Sequence, residues 1–148
     1  MYINTAKFTT ALIVMLIMCV TVSFTRASQG NSEQFVKVSS KDITIVDGDT
    51  IKVLGSNHRL MGFDTPEISK AKCAQEIAKG VEALHKLYAL IVNAKTLELD
   101  MRGKDKYNRT LSILYVDSVD VAVIMIKGGY AAAYNGKTKR QSWCDTAS

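Results

Sequence analysis

Residues 43–67 read ITIVDGDTIKVLGSNHRLMGFDTPE, and this stretch decides the fold. Apolar and polar residues alternate in Ile43-Thr44-Ile45-Val46, in Thr50-Ile51-Lys52-Val53-Leu54 and in His58-Arg59-Leu60-Met61-Gly62-Phe63. A period of two sends successive side chains to opposite faces, which is the pattern of a half-buried strand. Asp47-Gly48 sits between two of these runs and is a hairpin-turn signal. Gly55-Ser56-Asn57 predicts the next turn. Pro66 then breaks regular structure, because it lacks an amide hydrogen. The stretch is therefore a meander of short strands.

Phe35-Val36-Lys37-Val38 adds a strand before it, preceded by a polar segment at 28–34. Over residues 71–92 the period changes. Ala74, Ile77, Ala78, Val81, Leu84, Tyr88 and Ile91 recur at steps of three and four, which predicts an amphipathic helix burying that stripe and stopping at Asn93. His85 beside the stripe reads as an ordinary helix residue. Thr96–Met101 and Thr110–Val116 are two further strands, and the basic loop RGKDKYNR, residues 102–109, joins them. Residues 119–127 predict a short helix ended by Gly128-Gly129, and Tyr130–Tyr134 a last extended piece. The expected class is α+β, a five-stranded OB-fold β-barrel with two or three packed helices. Such barrels often bind oligonucleotides, although fold alone does not settle function.

The chain has 148 residues, 47% of them hydrophobic and 22% charged, with one proline. This excludes a disordered, collagen-like or low-complexity protein, and no fixed period points to a solenoid. The net charge of +5 suits a polyanionic partner but is common among plain globular domains.

The first 27 residues differ from the rest. Lys7 is followed by the uncharged run FTTALIVMLIMCVTVSF, Phe8 to Phe24, and then by Thr25-Arg26-Ala27. A basic start, an apolar centre and small residues at the cut describe a secretory signal peptide over 1–27, leaving a mature domain of 28–148 that is secreted or periplasmic. The rival reading is an N-terminal membrane anchor, for which the run is at the short limit. Cleavage removes two bases and no acid from the +5, and leaves no stable membrane association. The mature chain keeps Cys73 and Cys144, an even pair that suits a disulfide in an exported protein. Such a bond closes a loop of about 70 residues, worth roughly 4 kcal/mol in the chain-entropy picture. A monomer is expected.

Three clusters carry chemistry. Asp49 follows the Asp47-Gly48 turn, and its plain reading is a hairpin. Arg59-Leu60-Met61-Gly62-Phe63-Asp64-Thr65-Pro66-Glu67 crowds two acids at a strand end, where they repel one another unless a cation compensates. Hard divalent cations take carboxylate and carbonyl oxygens, so Asp49 and Asp64 together would suit calcium; the plain reading is two solvated turns. Asp105-Lys106-Tyr107-Asn108-Arg109 is a basic loop in which Asn108 suits a left-handed position.

The sequence DGDT at 47–50, R-x4-D-T-P-E from Arg59 and D-K-Y-x-R from Asp105 together resemble the staphylococcal nuclease, or thermonuclease, family. The resemblance covers residues 41–134, with RLMGFDTPE its strongest part. The tail KRQSWC is similar to short secreted members in Gram-negative bacteria. The resemblance implies an OB barrel with helices and a calcium-dependent hydrolysis of DNA and RNA that leaves 3′-phosphates. It implies Asp49 and Asp64 as calcium ligands, with Thr65 offering its carbonyl. Glu67 would be the general base, and Arg59 and Arg109 would grip the scissile phosphate. Lys106, Tyr107 and Tyr134 would lie near the bound nucleotide. These residue types suit the task. A cation neutralises the phosphate oxygens, arginine supplies a paired donor that keeps its proton, and a glutamate accepts a proton from water.

Departures from the family pattern are local. The hairpin between Asp49 and Arg59 is shorter, and Asn108 replaces a glycine. ISKAKCAQE replaces a lysine-rich loop, and the C-terminal helix is missing. Cys73 and Cys144 would pin the tail instead. An alternative function is a non-catalytic OB-fold nucleic-acid-binding module, or an interaction module held by a disulfide. The binding module fits the acid cluster poorly, because unneutralised carboxylates repel phosphate, and the interaction module would show no cleavage and no calcium effect on stability.

Overall fold

The computed structural model describes residues 35–145. The leader expected at 1–27, the polar segment at 28–34 and the last three residues lie outside the described residues. Nine strands and two α-helices follow in the order β1 (Phe35–Lys37), β2 (Ile43–Asp47), β3 (Thr50–Val53), β4 (Ser56–Leu60), β5 (Gly62–Asp64), α1 (Ala74–Asn93), β6 (Leu97–Lys104), β7 (Thr110–Val116), β8 (Val119–Asp120), α2 (Val121–Lys127) and β9 (Ala132–Tyr134). This is the α+β class expected. The main sheet runs β1-β6-β7-β4-β3-β2, with β8 paired to β7, and β5 pairs with β9 in a small second sheet. The strand count exceeds five because the Met61 bend splits one run and the short pieces β1, β8 and β9 each pair. The pairing is antiparallel except between β4 and β7, which run parallel. Among the described residues no strand pairing joins the sheet's end strands, β1 and β2. No described helix is long and apolar enough to cross a membrane.

The core joins apolar residues of the alternating strands to apolar residues of both helices. Ile51, Leu60, Phe63, Leu87, Leu99, Leu114 and Met125 are all buried, each stabilising the fold by roughly 1.5–3 kcal/mol relative to exposure. The second turn is displaced from the expected Gly55-Ser56-Asn57. It is Leu54-Gly55, both at positive φ, 48° and 85°, with Val53 opposite Ser56. Two consecutive left-handed residues match the twist of the flanking strands, and the pairing of Val53 with Ser56 leaves no room for a longer loop.

Helix α1 begins at Ala74, where Cys73 caps it by accepting from the Glu76 amide. It ends at Asn93 as expected. Its buried face, however, is Glu76, Gly80, Ala83, Leu87 and Ile91. Of the expected stripe only Ile91 is buried, while Ile77, Val81 and Tyr88 are exposed. The cause is close packing against the segment that follows β5. A Cβ at Gly80 would lie 2.8 Å from Ile68 Cγ1 and 2.9 Å from the Pro66 carbonyl oxygen. Only the small side of the helix can approach so closely. Glu76 is drawn inward with it because its carboxylate accepts from the Lys72 amide at 2.7 Å and from the Glu67 amide at 3.4 Å.

Candidate active site

The Asp47-Gly48 turn and the acid beside it are one device. Asp47 accepts from the Asp49 amide at 3.1 Å, which fixes the turn. The turn packs so tightly that a Cβ at Gly48 would sit 2.8 Å from Thr65 Oγ1. Asp49 is thereby buried against the DTPE segment, where its carboxylate accepts from the Thr65 amide at 3.2 Å. Thr50 Oγ1 donates to it at 3.1 Å.

Uninterrupted strand alternation would put Arg59 and Asp64 on opposite faces. The structure brings them together, because the chain bends at Met61 and Gly62 takes a φ of 89° between β4 and β5. Leu60 and Phe63 then both enter the core, and Arg59 Nη2 donates to Asp64 Oδ1 at 3.0 Å. Arg59 also forms an ion pair with Asp49 and donates to the carbonyls of Asp49, at 3.1 Å, and Phe63, at 3.3 Å. One guanidinium thus holds both acids. Asp64 and Thr65 are buried beneath it.

Burial pushes the Asp49 carboxyl up to about 7, with Asp47 adding to the rise and Arg59 opposing it. A cation among these oxygens would reverse that tendency. The donor set seen here is two buried carboxylates, Asp49 and Asp64, whose oxygens are hard. It fits a hard divalent cation such as calcium.

The remaining expected residues share one cleft of about 820 Å³ with Asp49, Arg59 and Asp64. Glu67 lines it from beyond Pro66, and Lys106, Tyr107 and Arg109 line it from the β6–β7 loop. Tyr134 reaches it from β9, opposite Gly62. Asn108 has a φ of 64° and provides the left-handed turn residue that this loop needs. Arg109 is directed by Asp105, to which its Nε donates at 2.8 Å. The upward effect of burial on Asp105 is outweighed by hydrogen bonds from the Arg109 side chain and from the Arg109 and Tyr107 amides, and its carboxyl lies below the usual range. Tyr107 is 69% exposed, with Lys106 Nζ 5.0 Å from its ring centre and the Arg109 guanidinium 5.7 Å away. Such an open ring offers a face on which a planar group can stack.

Sequence reasoning assigned no role to Arg140, which enters the site from the tail. Its Nε lies 2.7 Å from both carboxylate oxygens of Asp64, and its Nη1 donates to Glu67 at 2.5 Å. The Asp64 hydrogen bonds, with help from Glu67, raise its guanidinium further above an already high range. The signal that could have found it is the cysteine pair. The sulfurs of Cys73 and Cys144 lie 2.05 Å apart, which brings a residue four before Cys144 to a site six residues before Cys73.

The family model for staphylococcal nuclease homologues matches residues 57–146. The chain belongs to the staphylococcal nuclease family. It is 31% identical over 128 residues to an uncharacterised endonuclease of Haemophilus influenzae, covering 83% of this chain and 64% of that protein. It is 36% identical over 101 residues to a prophage-derived endonuclease of Bacillus subtilis, covering 61% of this chain but 33% of that one. A thermonuclease of Staphylococcus hyicus is 32% identical over 142 residues, covering 86% of this chain and 81% of its own. The chain thus spans less than two thirds of the first two relatives.

Proposed function

We propose that this chain is an exported, calcium-dependent nuclease that hydrolyses phosphodiester bonds of DNA and RNA and leaves 3′-phosphates. The observation that carries the reading is the Arg59 fork on Asp49 and Asp64, at the edge of a cleft that also holds Glu67 and Arg109. Its relatives' names, endonuclease and thermonuclease, support a hydrolase of this class. Export rests on the leader-like sequence of residues 1–27.

Asp49, Asp64 and the Thr65 carbonyl would hold calcium. When bound, the cation neutralises phosphate oxygens and stabilises the charge that grows on them. Arg59 and Arg109 present planar donors to the phosphate, and phosphoryl transfer depends mostly on such positioning and charge stabilisation. The Glu67 side chain is 30% exposed, far more open to the cleft than the carboxylates of Asp49 and Asp64. It takes the proton from an attacking water. Lys106, Tyr107 and Tyr134 give the strand a charged and aromatic footing that reads backbone rather than base edges.

Glu67→Gln tests the assignment. Turnover is expected to fall by about 10²–10⁴-fold, the usual size of a general-base contribution, while calcium and oligonucleotide binding persist. Unchanged turnover would overturn the role of Glu67.

A further inference from the structure

The tail residue Arg140 bonds Asp64, a carboxylate that the divalent cation would need, and Glu67, the acid assigned as base. Its Nε reaches both oxygens of Asp64, its Nη2 pairs with Asp64 Oδ1, and its Nη1 reaches Glu67 Oε1. Asp64 is buried, whereas the Arg140 side chain is 43% exposed. The acid is therefore fixed, and the arginine is the partner that can leave.

Arg140 also lies on a tail held at both ends. On one side, β9 is paired with β5, Ala132 opposite Asp64 itself. On the other, Trp143 is buried and Cys144 is bonded to Cys73. The Asp145 amide then donates to Gln75 at 2.9 Å. A group tethered this way competes as an intramolecular ligand, with an effective concentration set by the tether.

We propose that Arg140 is a functional residue of the metal site, a tethered guanidinium that competes with the divalent cation for Asp64 and is steadied there by its bond to Glu67. The inference rests on the calcium reading above and adds a determinant of calcium affinity. Arg140, unlike Arg59, spans both oxygens of Asp64, so cation entry there turns Arg140 out into the cleft. The Cys73–Cys144 bond holds the tail close and strengthens the competition. Opening it lets the tail wander and relieves the site.

The experiment is calcium titration by calorimetry on the full chain, in the native sequence, Arg140→Gln and Arg140→Lys, each confirmed folded by its thermal melt. Each is measured oxidised and after mild reduction. Arg140→Gln is expected to bind calcium about tenfold more tightly. Arg140→Lys keeps the charge but loses the fork, and falls between the two; affinity equal to native in Arg140→Lys would mean that only long-range charge acts, and would overturn the contact. Reduction is expected to tighten calcium several-fold in the native sequence and to do nothing in Arg140→Gln. A reduction effect of the same size in both would assign it to general loosening and overturn the tether. Equal affinity in native and Arg140→Gln overturns the competition and leaves the calcium site standing. Folded protein that binds no calcium in any form overturns the calcium reading and the competition together.

Discussion

Replacing Arg59 by lysine keeps the charge and removes the fork. In the native protein Nη1 serves Asp49 through its side chain and its carbonyl, while Nη2 serves the Phe63 carbonyl and Asp64. The side chain is 11% exposed, so water replaces little of what is lost. A single ammonium reaches one of these two pairs. Two contacts to buried acceptors then fail, one of them charge-assisted, and the expected cost is roughly 2–4 kcal/mol. At this chain size a kcal/mol shifts the melting temperature by about 4 °C, so Arg59→Lys is expected to melt roughly 8–16 °C lower. Activity is expected to fall about 10²–10³-fold, the usual effect of removing one preorganised donor to a developing anion. Circular dichroism melts give the first number. Turnover at a temperature where near-ultraviolet spectra show both proteins folded gives the second. A melt within about 2 °C of native together with turnover within about twofold would refute the claim that the fork matters.

Two further predictions concern the scaffold. Gly80→Ala adds a Cβ into contacts of 2.8 and 2.9 Å, and is expected to destabilise by about 1–3 kcal/mol despite the better helix propensity of alanine; urea unfolding would show it, and a more stable variant would contradict the close approach of α1. His58 is buried, 2.9 Å from Ser112 Oγ, and burial lowers its pKa below 6.5. The fold therefore favours the neutral ring, and its contribution is fully present above about pH 6.5 and declines as pH falls toward the folded pKa. Unfolding free energies from pH 7 to pH 5 should fall more steeply in the native protein than in His58→Asn, and an NMR titration should place the imidazole midpoint below 6.5. A midpoint above that value would refute the argument.

Much of the site was readable because its parts are local. Asp49 follows a turn, and Arg59 and Asp64 flank four residues of strand and bend, so a short stretch carries both the alternation and the acids. The contact between Arg59 and Asp64 was not readable from alternation, since the positive φ of Gly62 breaks the period between them. The buried face of α1 was misread for a different reason. Hydrophobic periodicity weighs Ile77, Val81 and Tyr88 above Gly80 and Ala83, whereas the space left by Ile68 and the Pro66 carbonyl admits only the small side. The parallel pairing of β4 with β7 and the arrival of Arg140 are long-range. Arg140 and Asp64 lie 76 positions apart in the chain. No local pattern encodes such a contact, and the cysteine pair was its one trace.

The proposed chemistry is tested most directly by incubating the purified protein with single-stranded DNA, in calcium and in an excess of calcium chelator, and analysing the ends of the products. The account predicts cleavage with calcium only, yielding 3′-phosphate termini. Equal cleavage in the chelator, or no cleavage by folded protein across several divalent metals, would contradict it.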